Sequence, residues 1–319
     1  MTNLEGIAFN EVSDSKGTIY SSYRKTLKAN FTIVWRDITI GYFLLVATVV
    51  FYFILEKSYG ISWLTVISLP FAAFIAAFWL AFIQLFVHEA AHYNIHPNKK
   101  TNDLLANIFL CVILGVNIKS YRLTHSKHHV KLGQTDDTEH SYFNKLTPLF
   151  VLKMLTGIHV LDVLKSRNKL NNAQTEKSLS QSKSALLLGA LLNFSFLLVL
   201  VIFGYFLTAA LWIATVIVFY PFFATIRQLL EHRGEEYNSD INFKEINHGK
   251  NSRLFKSNLF SYFMGGAGFD RHLLHHWDPE ISYTRLKDVE RFLSDTEKCG
   301  PIVKEAQTGY FETFLKLIK

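Results

Sequence analysis

Half of the 319 residues are hydrophobic and 28 are phenylalanine, which excludes an ordinary soluble domain and points to the bilayer. A net charge of +7 with 15% aromatic residues would suit a nucleic-acid binder, but basic cytoplasmic loops and interfacial aromatics account for both in a membrane chain, so no nucleic-acid partner is expected. With no Gly/Ser linker, low-complexity tract or repeat, the chain reads as one domain over 1–319.

In chain order, residues 1–37 read as a cytosolic N-terminal segment. The first thirty lack an apolar core followed by a small-residue cleavage site, so no signal peptide is expected. A helix around Tyr20–Asn30 would set Arg24, Lys25 and Lys28 near the headgroups. Roughly 18 or more apolar residues in a row make a membrane span. Ile38–Leu55 and Ser62–Val87 qualify, and the short link Glu56–Ile61 makes them a hairpin over 38–87. Residues 88–183 form a long connection with many Lys and Arg. Within it, Leu104–Ile118 is about 15 residues, too short for a comfortable span, and is expected to lie in the interface or dip in and return. Pro148–Leu164 mixes Leu, Val and Ile with Lys153, His159, Asp162 and Lys165, the pattern of an amphipathic helix on the membrane surface. Ser184–Phe203 and Thr208–Ile226, linked by Gly204–Leu207, make a second hairpin over 184–226, and 227–319 follow.

The positive-inside rule puts the long connection and both termini in the cytoplasm. The expected fold is an all-α integral membrane protein of the inner (cytoplasmic) membrane of a bacterium. Four transmembrane helices in two hairpins would carry a cytosolic helical cap. Cys111 and Cys299 are far apart and Cys111 lies in an apolar run, so no disulfide is expected.

The 13 histidines are grouped. "HEAAH" gives His88 and His92 at the end of the second span. "THSKHH" gives His125, His128 and His129. His232 follows the fourth span in "RQLLEHRGEE", and "DRHLLHHWDP" gives His272, His275 and His276. With four spans every group faces the cytoplasm; a crossing at Leu104–Ile118 would strand the second group. Residues three or four apart share a helix face. His88 and His92 therefore point together, and in HxxHH the first histidine lies one turn from an adjacent pair. The two neighbours of that pair diverge enough to serve different metal ions. Nine imidazoles are a natural supply for two ions at four to six ligands each. Imidazole suits Zn, Fe, Cu and Ni alike, so ligand type alone does not choose the metal.

Taken in this order, HEAAH, THSKHH and HLLHHWDP resemble the three histidine boxes of the membrane fatty acid desaturase and hydroxylase superfamily. "RQLLEHRG" resembles that family's extra histidine position, "KHHVKLGQTDDTE" its acidic loop, and "HHWDPEISYTRL" its tail after the last box. The resemblance covers roughly residues 60 to 290. It implies a mushroom of four membrane helices, with a cytosolic cap around a non-haem di-iron centre that activates O₂ and takes hydrogen from an unactivated C–H bond. It also implies the ligands His88, His92, His125, His128, His129, His232, His272, His275 and His276. Two places depart from the pattern. Gln228 stands where some members hold a metal-bound water with Asn, and Trp277-Asp278 where many have Leu-Phe.

His88-Glu89-Ala90-Ala91-His92 is also the HExxH signature of zinc proteases, in which Glu89 is the general base and a third ligand comes from elsewhere. That reading leaves both HxxHH groups unemployed. In the di-iron reading Glu89 accepts from a ligand N–H or caps a helix in solvent. A metal transporter would keep its histidines inside the spans, which here hold none. His96 continues the face of His88 and His92 until Pro97 stops it, and is a second-tier candidate with Gln228. His140, His159 and His248 are expected at the surface or behind the ligands. Asp136, Asp137, Glu235 and Glu236 are expected as solvated charges, some of which could hold ligand histidines. Arg227 and Arg253 could bind an anionic headgroup or anchor a redox partner, and are expected as interface anchors.

A C–H bond in a saturated chain is beyond any acid–base residue, so a metal must carry the reaction. The expected activity is acyl-chain desaturation with two irons and O₂. Hydroxylation of a lipid, alkane, carotenoid or headgroup is the alternative. No flavin- or cytochrome-like segment is present, so an external donor of ferredoxin or cytochrome b5 type is implied.

Overall fold

The computed structural model describes residues 4–173, 182–234 and 241–318, except the side chains of His140 and of residues 167–173. Glu235, Glu236 and the His140 side chain lie outside the described residues.

Helix α1 spans Phe31–Tyr59 and α2 spans Trp63–Ala91. Both start on a side-chain cap. Asn30 Oδ1 accepts from the Ile33 amide at 3.2 Å, and Ser62 and Thr65 form a reciprocal capping box. Each helix has 29 residues, about 44 Å at 1.5 Å per residue, against a hydrocarbon core of about 30 Å. Both therefore outrun the spans expected at Ile38–Leu55 and Ser62–Val87, and α2 has the length to carry His88 past the hydrocarbon. The helix expected over Tyr20–Asn30 is shorter. Tyr20–Tyr23 are α-helical and Arg24–Thr26 make one 3₁₀ turn, after which Asn30 begins α1. Arg24 does not reach for headgroups. Its guanidinium forks onto Asp278 at 2.7 and 2.8 Å and touches Glu280 at 2.9 Å, because Asp278 is buried and needs a counter-charge.

Helices α3 (Lys99–Leu114) and α4 (Ile118–Lys131) meet at an 86° bend. Gly115, at φ 64, makes the turn in the left-handed region. Its tip seats on α7 (Lys183–Ile202), reached after α5 (Pro148–Leu155) and α6 (Ile158–Ala173). A Cβ on Gly189 of α7 would stand 2.5 Å from Gly115 Cα, so only glycine allows this approach. One turn on, Asn193 donates to the Ile113 carbonyl at 3.1 Å and accepts from Trp212 Nε1 at 3.0 Å. An unpaired carbonyl in lipid costs several kcal/mol, and Asn193 removes that cost at the broken helix end. Helix α4 delivers its histidines to the end where His88 lies.

One amphipathic helix was expected over Pro148–Leu164; Gly157, at φ 70, divides it into α5 and α6. Leu149, Leu152, Ile158 and Leu161 remain exposed along the pair. Helix α8 (Phe206–His232) completes four helices long and apolar enough to cross a membrane. Its first amides, Leu207 and Thr208, donate to the Glu56 carboxylate of α1 at 2.9 and 2.8 Å, which sets negative charge at a helix N-terminus. Helix α8 packs along α2. Beyond it come α9 (His272–Trp277), α10 (Leu286–Ser294) and a two-residue parallel pairing of Leu254–Phe255 with Gln307–Thr308, a departure from an all-helical chain. Cys111 and Cys299 are buried and unbonded to each other.

The Gly189 contact makes a prediction. Gly189→Val should lower the melting temperature of the purified protein by the equivalent of about 1–3 kcal/mol, the usual cost of overpacking. Ala190→Leu, one residue along on an exposed side, should change it little. Equal melting temperatures for the two variants would mean that the bend is not held by this contact.

Candidate metal centre

Four helix ends supply the histidines. His88 closes α2 and His92 caps it. His125, His128 and His129 lie in the last turns of α4, which Asn117 starts by accepting from the Lys119 amide. His232 is the last residue of α8. His272, His275 and His276 make up half of the six residues of α9. The entry to α9 is fixed by Arg271, which bonds Glu290 of α10 at 2.7 Å and Ser257 at 2.6 Å.

The nine imidazoles collect into two groups. His88, His92, His125, His129 and His275 form one; His128, His232, His272 and His276 form the other. Within each, one nitrogen per residue lies within 4.8 Å of all the rest. The adjacent residues of each HH pair go to different groups, as expected from their divergence on the helix.

The ring nitrogens approach closely. In the first group Nε2 of His125 stands 3.0 Å from His92 and 2.9 Å from His129, and His129 stands 3.1 Å from His275. In the second, Nε2 of His272 is 2.9 Å from His232 and 3.2 Å from His276. Ligands bound at about 2.1 Å and at right angles are about 3.0 Å apart.

Tautomers agree with that spacing. His232 Nδ1 faces the Asn251 carbonyl at 2.8 Å, which can only accept, so Nδ1 carries the proton and Nε2 keeps its lone pair. His128 Nδ1 donates to both oxygens of Asp137 at 3.0 Å, and His125 Nδ1 to Glu139 at 3.3 Å. Tyr142 supports Asp137 by donating its hydroxyl to it. Buried Nε2 atoms of His88 and His128 have no hydrogen-bond partner.

Electrostatics point the same way. Burial, reinforced by neighbouring imidazoles, holds His129, His272, His275 and His276 well below the ordinary histidine pKa. Burial does the same for His92, helped by His125 and Arg122. Neutral imidazole is the form that binds metal. Four carboxylates crowd the same volume: Glu89, Asp137 and Glu231 are buried and Glu139 is nearly so. The buried guanidinium of Arg227 stands 3.7 Å from Glu231. Burial lifts the Glu89 and Glu231 carboxyls to a pKa of about 8, because a buried anion without counter-charge is costly; bound cations would remove that cost, so the donor set fits two cations.

The other expected residues lie as follows. His96 is in neither group; its Nδ1 accepts from the Asn98 amide at 3.0 Å, capping a turn. Gln228 lines the cavity beside the histidines and donates to Glu139 at 3.2 Å. Glu89 is no solvated cap. It is buried and accepts from the Tyr283 amide at 3.2 Å, with His88 Nδ1 3.8 Å away. Asp136 pairs with Lys131 at the surface, but Asp137 is fully buried, because His128 and Tyr142 need it.

Arg227 and Arg253 are not interface anchors. Arg227 stacks over Phe269 at 5.0 Å. Arg253 donates to the Leu230 and Arg233 carbonyls and so closes the end of α8. His159 is buried on Ser141, and His248 is buried with its pKa lowered to about 4. Glu139, Glu231, Tyr142 and Asn251 were missed as site residues. The acidic run Asp136–Glu139 after HxxHH was the one local signal; Asn251 acts through its backbone and leaves none.

Burial alone would lower His128; the Asp137 and Glu139 carboxylates outweigh it and lift the pKa to about 9. In metal-free protein the charged pair then adds stability that is complete below about pH 6.5 and lost as pH rises through about 9. Thermal unfolding should show a melting temperature that falls across that window. Asp137→Asn should flatten the fall, and identical profiles would contradict the pairing.

The family model for fatty acid desaturases matches residues 61–302, a stretch that runs from α2 through α10 and contains every histidine of both groups; the chain belongs to the fatty acid desaturase family.

Proposed function

We propose that the chain is an O₂-dependent, non-haem di-iron oxidoreductase that desaturates the acyl chain of a lipid. The observation that carries this reading is the sorting of nine imidazoles into a five and a four, with each HH pair split between them. A three-ligand protease site would use His88 and His92 and leave seven convergent rings without work. Membership of the desaturase family supports an oxidoreductase acting on lipid, and the four apolar helices support a membrane location.

The overall reaction balances as R–CH₂–CH₂–R′ + O₂ + 2 e⁻ + 2 H⁺ → R–CH=CH–R′ + 2 H₂O. Two electrons leave the substrate and two come from an external ferredoxin- or cytochrome b5-type donor. Two irons held by the histidine groups would supply the redox chemistry that no acid–base side chain has. The chain's own residues bind and exclude. Asp137, Glu139 and the Asn251 carbonyl fix the tautomers of His128, His125 and His232, a support whose loss typically weakens metal binding 10–100-fold. Leu85 and Phe269 give the adjoining cavity apolar wall and keep bulk water from it. In this reading 1–319 is one domain. The membrane helices are two hairpins (38–87 and 184–226), and the histidines face the cytoplasm with segments 1–37, 88–183 and 227–319.

Lipid mass spectrometry of cells with and without the gene tests this directly. Desaturation gives a product lighter by two hydrogens; a product heavier by one oxygen would make the enzyme a hydroxylase instead. Protein from iron-replete cells should hold about two irons per chain, although zinc can displace iron on overexpression. His275→Ala and His276→Ala should abolish activity as fully as His88→Ala, and Glu89→Gln should be milder because Gln still accepts from the Tyr283 amide. A dead Glu89→Gln beside an active His275→Ala would favour the protease.

A further inference from the structure

The cavity that touches His88, His125, His128, His232 and His272 also touches Arg227, Gln228 and Glu231 of α8. Those three side chains carry four buried atoms with no hydrogen-bond partner: Arg227 Nε and Nη2, Gln228 Oε1 and Glu231 Oε1. Leaving such atoms unpaired costs about 1–3 kcal/mol each, more when charged, so the set asks for an occupant. The orphans are two donors and two acceptors. Nε and Nη2 lie along one edge of the guanidinium, whose two parallel N–H groups can bind one oxygen or grip two. The rest of Arg227 is engaged, with its plane over Phe269 at 5.0 Å and Nη1 3.5 Å from the Ala81 carbonyl. Glu231 Oε1 stands 3.7 Å from Nε, too far to hydrogen-bond it.

We propose that Arg227, Gln228 and Glu231 form a subsite for an uncharged hydroxyl or amide group of the lipid substrate. The group's oxygen accepts from Arg227, and its O–H or N–H donates to Glu231 or Gln228. A carboxylate or phosphate would accept from Arg227 but leave both acceptors unmatched. The cavity is about 50 Å³, room for an end group of a few water-sized units. Gln228 lies one helical turn, about 5.4 Å, before His232. The carbons presented to the histidines are therefore among the first few beyond the polar group. This rests on the lipid-oxidising reading above and adds to it both the substrate's polar group and the place of oxidation.

The test has two arms, on whole protein. In lipid nanodiscs, binding of dodecanol, dodecanamide, dodecanoate and dodecane is compared by thermal shift for wild type and for the double variant Arg227→Met/Glu231→Gln, which removes both charges together. Wild type should bind the alcohol and the amide roughly tenfold more tightly than the alkane or the carboxylate, a difference of about one hydrogen bond, and the variant should lose that preference. Should the variant not fold, the wild-type ranking still decides. Equal binding of all four, as expected if water alone fills the cavity, overturns the subsite. In the second arm, products from cells are mapped for the position of oxidation. A change near a hydroxyl or amide end supports the subsite. A mid-chain product sinks it and leaves the desaturase reading intact. With no oxidised lipid at all, that reading fails, and the binding ranking alone decides the subsite.

Discussion

Nine converging imidazoles, eight of them pushed by burial toward the neutral form, are the constraint around which this chain is built. Nitrogen lone pairs about 3 Å apart repel unless a proton or a cation lies between them, and here the Nδ1 protons of His125, His128 and His232 are already committed to Glu139, Asp137 and the Asn251 carbonyl. The groups can persist only if the four helix ends that carry them are held from behind. Each is. Arg271 ties the start of α9 to Glu290, and Arg253 closes α8 by binding the Leu230 carbonyl at 2.9 Å. Arg122 of α4 donates to the Ala91 carbonyl at the end of α2 at 2.7 Å and pairs with Asp103 of α3.

The membrane half answers to the same demand. Helices α2 and α8 must run past the hydrocarbon together, so their relative height matters. Glu56 sets it at the far end by binding the first amides of α8. The α3–α4 bend must enter and return, and the Gly115–Gly189 contact with the Asn193 side chain makes that possible without leaving a bare carbonyl in lipid.

Much of this was legible in the sequence, and the reasons for the rest are physical. The four apolar helices and the histidine grouping follow from hydropathy, length and helical period, which are local. Helix lengths did not follow, because charged Arg36 and Asp37 read as the end of a span although they sit inside α1, where Arg36 pairs with Asp37 and Asp37 accepts from the Tyr283 hydroxyl at 2.8 Å. Buried charge was the hardest feature to read. Asp137 and Glu89 could each be read as solvated or as supporting a ligand histidine, and Arg227 and Arg253 as interface anchors, since burial of a charge depends on a partner that is usually distant. Arg24 and Asp278 are 254 residues apart, and no spacing rule links them.

The N-terminal residues show the same logic carried outside the family match. That match begins at residue 61, yet residues before it help to enclose the histidines. Glu5, Ile7 and Phe9 line a second cavity that reaches His129 and His276, one ring from each group. Trp277 Nε1 donates to the Ile7 carbonyl at 3.1 Å, and Lys250 pairs with Glu5. Tyr20 donates to buried Asp278 at 2.9 Å beside the Arg24 fork. Removing one partner from a buried charge pair generally costs about 3–5 kcal/mol, so the Trp277-Asp278 departure after the last box is matched by Tyr20, Arg24 and Ile7 in the N-terminal segment. A chain with Leu-Phe at that place would leave Arg24 only the exposed carboxylate of Glu280, and the segment would lose its buried anchor on the side of the centre that it covers.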